Sequence, residues 1–180
     1  MQSVDASDLG LLLLRLVVGL TFAAHGAQKA FGWWHGPGWI GWQNAIGRMG
    51  FRPVAVFAGV SIAAELGGGL FLALGIVTPL AAAILVAQSV VIIVKVHAPS
   101  GFWNKSSGIE FPLALGVAAL AIGLIGPGGV SFDGVEGLSA TDSVRVVLAI
   151  AGLLFGAIAL ALPTATTSSS DSTGPTATAR

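Results

Sequence analysis

The sequence predicts an all-α, polytopic membrane protein: a four-helix bundle with a fifth, C-terminal transmembrane helix. Three observations lead there. Of the 180 residues, 54% are hydrophobic and only 9% charged, against about 25% charged in soluble domains. The mean hydropathy is +0.89. The apolar runs approach the roughly 20 residues that cross about 30 Å of hydrocarbon. A multi-pass protein of the cell membrane is expected, with lipid as its first partner.

The first span runs from Leu9 to Phe31. Its leader "MQSVDASD" holds two Asp and no Lys or Arg, a poor signal-peptide start, so the segment reads as a retained helix. "GWWHGPGWIGWQNAIGRMGFR" follows, with Trp33, Trp34, Trp39 and Trp42. Tryptophan suits the headgroup zone, so this stretch reads as a loop lying along the interface. The second span is Pro53 to Gly75, and the short "GIVTP" turn makes the third, Thr78 to His97, its antiparallel neighbour. The fourth runs from Ile109 to Ile125, ahead of a Gly-rich polar loop. The fifth is Val144 to Leu162. The tail, with "TTSSSDSTGP", lacks any apolar run and reads as disordered. The organisation expected is thus a four-helix domain over 1–134, a loop and fifth helix over 135–162, and a tail over 163–180.

Glycines in "ELGGG" and the Gly152–Gly156 pair permit close helix approach. Counting Lys and Arg places Lys29, Arg48, Arg52, Lys95, Lys105 and Arg180 on one side against Arg15 and Arg145. By the positive-inside rule the first and third loops are cytoplasmic. Zero formal net charge gives no footprint for nucleic acid. The lack of cysteine excludes a catalytic thiol, a Cys-ligated iron–sulfur cluster and covalent c-type haem on this chain.

Polar residues inside the spans carry the functional argument, since each charge there costs roughly 2.5 to 3.5 kcal/mol and seeks a partner or a cavity. At 100° per residue, Arg15, His25 and Lys29 share one sector of the first helix with Gly19, Phe22 and Gly26, so that face looks inward. Alternating helix directions sort the polar groups into two layers. His25, Lys29, Lys95, His97 and Glu110 gather toward one surface, with Gln88 below them. Arg15 and the loop bearing Asp133 lie near the other, and Glu65 sits between. Arg15–Asp133 is expected as a structural ion pair, and Lys29–Glu110 as a helix-pairing contact or part of a site. Lys29, His25, Gln88 and Lys95 would form a pocket for a quinone headgroup or an anion. His25, Glu65 and Glu110 are the candidates for proton exchange. A bis-histidine haem between His25 and His97 is a further candidate; no metal site is expected.

The residues also stand in a familiar order. "RLVVGLTFAAHGAQKAFG", "ELGGGLFLALGIVTPLAA", Glu110 opening the fourth helix, and "GPGGVSFDG" together resemble the DoxX family over residues 9–134. The resemblance implies a four-helix membrane domain and marks Arg15, His25, Lys29, Glu65, Glu110 and Asp133 as family positions. Members include the membrane subunit of a thiosulfate:quinone oxidoreductase. With no cysteine to take a sulfur atom, this chain would need a partner to bind the sulfur substrate and deliver electrons.

The leading expectation is a quinone-interacting membrane subunit of a redox complex, with other protein subunits as partners. The alternative is a non-catalytic accessory subunit that stabilises a larger assembly. A small-anion transporter, working as a homo-oligomer, comes third.

Overall fold

The computed structural model describes residues 4–161. The Ser/Thr-rich tail expected over 163–180 lies outside them. The elements are α1 (Ala6–Phe31), α2 (Gly38–Arg48), α3 (Val54–Leu74), α4 (Thr78–Ile92, continued by a π turn, Ile93–His97), α5 (Glu110–Ile125), the single turn α6 (Phe132–Val135) and α7 (Asp142–Ala161). All of the described secondary structure is helical. α1, α3, α4 with its extension, and α7 are long and apolar enough to cross a membrane; α5, at 16 residues, is shorter.

α1 starts at a reciprocal cap. Asp5 accepts from the backbone of Asp8 at 2.9 Å while Asp8 accepts from that of Asp5, so two orphan donors are satisfied. It stops at Gly32, whose φ of 74° is left-handed. Its inward stripe is Arg15, Val18, Gly19, Phe22, Ala23, Gly26 and Ala27.

The α1–α3 contact is backbone on backbone. A Cβ on Gly19 would lie 2.5 Å from the Gly69 carbonyl oxygen, and one on Gly26 would lie 2.5 Å from the Leu66 nitrogen. Small residues allow this approach where no hydrophobic force drives helices together. The contact also sets register. With Gly26 level with Leu66, the first residues of α3 extend past the end of α1 by roughly 10 Å.

α2 packs against that projection. The stretch read as an interfacial loop is a helix whose Trp42 and Ile46 are buried with Phe51 and Ala58. Trp33, Trp34 and Trp39 remain exposed, as interface anchors would be.

α1, α3, α4 and α5 close into a ring, each touching the next. Their shared core is Val18, Phe22, Leu72, Ala81, Ala82, Leu85, Val86, Ala119 and Ile122. α7 stands outside the ring against α4 and α5. Its only buried residues are Gly152 and Gly156. A Cβ on Gly152 would meet the Ala83 carbonyl at 2.6 Å, and one on Gly156 would meet the Val90 Cβ at 2.7 Å. That pair is a packing motif.

Candidate functional site

At the end where α1 begins, polar side chains are bound to backbone. Val77, a β-branched residue at the start of α4, has a φ of 41°, a conformation such residues rarely adopt. Asp133 holds it there, accepting from the nitrogens of Val77 and Thr78 at 2.8 Å each and from the Thr78 hydroxyl at 2.9 Å. Arg15 donates to the Pro127 carbonyl at 2.7 Å and to the Val130 carbonyl. The expected Arg15–Asp133 ion pair is therefore not a direct contact. Both residues are almost fully buried, and each clamps a different part of the same corner.

The other layer is built differently. Lys29 forms an ion pair with Glu65, which is 1% exposed. The expected Lys29–Glu110 pair is replaced because the glycine contact brings α1 and α3 together, whereas Glu110 turns away to accept from the Asn104 nitrogen at 2.9 Å. Lys29 also lies over the Trp42 ring, 4.2 Å from its centroid. Gln88 donates to the Ser61 hydroxyl at 2.7 Å and to the paired Glu65 oxygen, Oε1, at 3.2 Å. Oε1 thus takes two donors. Among the described residues its buried twin Oε2 takes none. Nor has the buried Trp42 Nε1 a partner among them.

Lys29, Glu65 and Trp42 border a cavity of about 170 Å³. Its remaining walls include Phe22, Ile92, Val96, Leu115 and Ser89, with His25, His97 and Phe111 at the margin. His25 does not face the bundle interior as its sector predicted. It is exposed, sits edge-on to Phe111 with ring centroids 6.1 Å apart, and also borders a groove on the outer face of α1. His97 Nδ1 is 2.6 Å from the Ser107 carbonyl, which can only accept, so Nδ1 carries the proton. Gln88 and Lys95 are not cavity walls. Gln88 lines a second cavity of about 120 Å³ behind Trp42, and Lys95 lies over Phe51, 5.7 Å from its ring centroid.

The structure therefore brings Lys29, Glu65, His25 and His97 to one cavity. It leaves Glu110 and Lys95 outside and puts Gln88 behind Glu65. Trp42 was hidden among interfacial tryptophans. Its separation of four residues from Ile46, one helical turn, is the signal that marks it as inward-facing.

Arranged this way, the site can hold a small ring against apolar walls beside a buried ion pair. An apolar cavity of about 150 Å³ takes up benzene, so one six-membered ring fits here.

Neither the curated proteins nor the solved structures give a match to the chain. A family model does. Residues 10–98 match the model described as DoxX, a stretch that runs from α1 to the π turn after α4. It contains every residue of the Lys29–Glu65 cluster, while Glu110 and Asp133 lie beyond it. Together with four helices of membrane-spanning length and apolarity, the match makes this a multi-pass membrane protein, and over residues 10–98 the chain belongs to the DoxX family.

Proposed function

We propose that the protein is the quinone-interacting membrane subunit of a redox complex, acting with a partner that supplies electrons. One observation carries this reading: the buried Lys29–Glu65 ion pair borders a ring-sized cavity, and two of the residues bordering that cavity, Glu65 and Trp42, each keep a buried polar atom unmet. Buried polar atoms are normally satisfied, so two such residues beside a cavity favour a site that adjusts to a ligand. A quinone, when bound, would supply two-electron, two-proton carrier chemistry.

The chain's own residues supply the rest. Lys29 and Gln88 hold Glu65 through Oε1, which leaves Oε2 to accept a proton or a hydrogen bond. Trp42 Nε1 would orient a ring oxygen. His25, with no hydrogen-bond partner among the described residues and at the exposed margin, would exchange protons with the outside. Phe22, Ile92 and Leu115 exclude water.

A second reading is favoured by α7. Val147, Leu154, Phe155 and Ile158 on its outer face are all more than half exposed, a surface that suits lipid or another subunit of an assembly that this chain would stabilise. Anion transport gains no support, because the cation nearest the cavity is already paired.

The test is mass spectrometry on protein gently purified from its native membrane, reading bound quinone and co-purifying proteins together. Retained quinone that disappears in Lys29→Met supports the proposal. Wild-type protein without quinone, with quinone reduction by the intact complex unchanged in Lys29→Met, overturns it. A stable set of partner subunits without quinone would then leave the accessory role.

A further inference from the structure

We propose that the protein carries a second site, on the far side of Trp42 from the Lys29–Glu65 cavity, that holds one anionic phospholipid. Its phosphate would sit on Arg48, Arg52 and Lys95, and the start of one acyl chain would fill the cavity behind Trp42. Arg52 Nη1 donates to the Phe51 carbonyl at 2.9 Å and to the Gly47 carbonyl at 3.1 Å, which holds the guanidinium against the end of α2. Lys95, from the π turn after α4, lies over the Phe51 ring. Arg48 is exposed in the last turn of α2, one residue before Met49. Three cations thus belong to one corner. The ion pairs between described residues are Lys29–Glu65 and Arg145–Asp142, so among those residues no carboxylate matches any of the three. Like charges gathered in this way repel, and an anion between them removes that cost.

The second cavity, of about 120 Å³, supplies the apolar half. Met49, Phe51, Phe57 and Val60 are among its walls, and Ala159 of α7 contributes to another side. Phe51 joins the two halves: it is the residue that Arg52 and Lys95 contact, and it lines the cavity. The order in depth is that of a phospholipid. Arg52 precedes α3, whereas Phe57 and Val60 lie on that helix about 6 Å and 10 Å beyond Pro53, further into the membrane. A cavity of about 150 Å³ takes up benzene, so this one takes a few methylenes. Val60 is 60% exposed, and past it the rest of the chain would run on into the bilayer. A zwitterionic lipid fits the apolar half but gains less from the cations. A free phosphate gains from the cations alone. The site therefore favours a molecule that brings both.

The test uses full-length protein stripped of lipid in a non-ionic detergent. It is titrated with dioleoylphosphatidylglycerol or dioleoylphosphatidylcholine, and bound lipid is counted by native mass spectrometry. Three cations at about fivefold each set a preference on the order of 100-fold for a single phosphatidylglycerol. Arg48→Gln/Lys95→Gln, which keeps the Arg52 bonds, should reduce it to about fivefold. Should that variant fail to fold, Lys95→Gln alone should reduce it by about fivefold. Ala159→Phe fills the cavity from α7 and should weaken both lipids alike by roughly tenfold, the worth of about two buried methylenes. Ala157→Phe, on the exposed face of α7, should change neither. Inorganic phosphate in large excess should displace no more lipid than chloride at the same ionic strength. Equal binding of the two lipids overturns the inference, as does a preference that survives the loss of Arg48 and Lys95. Displacement by phosphate, or phosphatidylglycerol binding unchanged in Ala159→Phe, overturns it too and makes the corner a site for a free anion.

Discussion

The two polar layers of the bundle use nearly the same chemistry to different ends. Near the start of α1, Asp133 makes three bonds to the first turn of α4 and Arg15 makes two to the loop before α6. Of these two side chains Arg15 keeps one unmet atom, Nε, as does the neighbouring Arg145, and the space bordered by Arg145 is too tight to hold a water. Near the end of α1, Lys29 and Glu65 bind each other instead of the backbone. One carboxylate oxygen and one indole nitrogen remain unmet among the described residues, and both of their residues border a void. A buried charge saturated by local backbone groups holds the chain in place. A buried charge that leaves valence beside a cavity is available to something else.

That contrast can be broken by substitution. The largest effect is expected from Asp133→Ala, which strands two backbone N–H groups and a hydroxyl and releases the left-handed Val77. A loss of at least about 3 kcal/mol follows from one or more per stranded group, read as a lowered unfolding midpoint in detergent. Quinone binding by the protein that remains folded should be unchanged. If it is lost, the two layers are one system and the contrast fails.

Next is Lys29→Met, which leaves Glu65 buried without its partner and should cost about 3 kcal/mol. The double variant Lys29→Met/Glu65→Leu should return to within about 1 kcal/mol of the wild type, because a buried pair replaced by apolar groups is often neutral. It should nevertheless retain no quinone. A double variant that is stable and still retains quinone would make the pair a helix fastener. Gly69→Ala lies between the layers. Its Cβ would sit 2.5 Å from the Gly19 carbonyl, so a loss of about 1 to 3 kcal/mol is expected from overpacking. Ligand affinity should fall with it, since the α1–α3 register brings Lys29 to Glu65. The smallest effect belongs to Lys95→Met. It removes a cation–π contact worth under about 1 kcal/mol at a partly exposed site, and quinone retention should not change.

Much of the architecture was legible because hydropathy reports burial in lipid directly. α1, α3, α4 and α7 fall within a few residues of the apolar runs that predict them. α2 was not legible as a helix, since Gly38, Gly41 and Gly47 give it the composition of a loop, and its order comes from packing Trp42 and Ile46 on α3. The site was legible in its residues but not in its pairing. Depth reckoned from the ends of each span treats α1 and α3 as level, which separates Lys29 from Glu65. The glycine contact offsets the helices and brings the two together. His25 failed for a related reason: the sector it shares with Arg15 and Lys29 includes both the buried stripe and its edge, and His25 stands on the edge. Unmet valence at Oε2 and Nε1 is a property of three-dimensional neighbours, and no spacing in the chain encodes it.

The brevity of α5 bears on the surrounding bilayer. Sixteen residues rise about 24 Å, roughly 6 Å less than the hydrocarbon thickness that its neighbours match. Lipids beside such a short wall adapt by thinning. Because Phe111, Pro112 and Leu115 of α5 also border the cavity, a dimple formed there would draw headgroups and their water down toward the Lys29 layer. Protons would then reach the margin at His25 through a deformation of the membrane, without a channel through the protein.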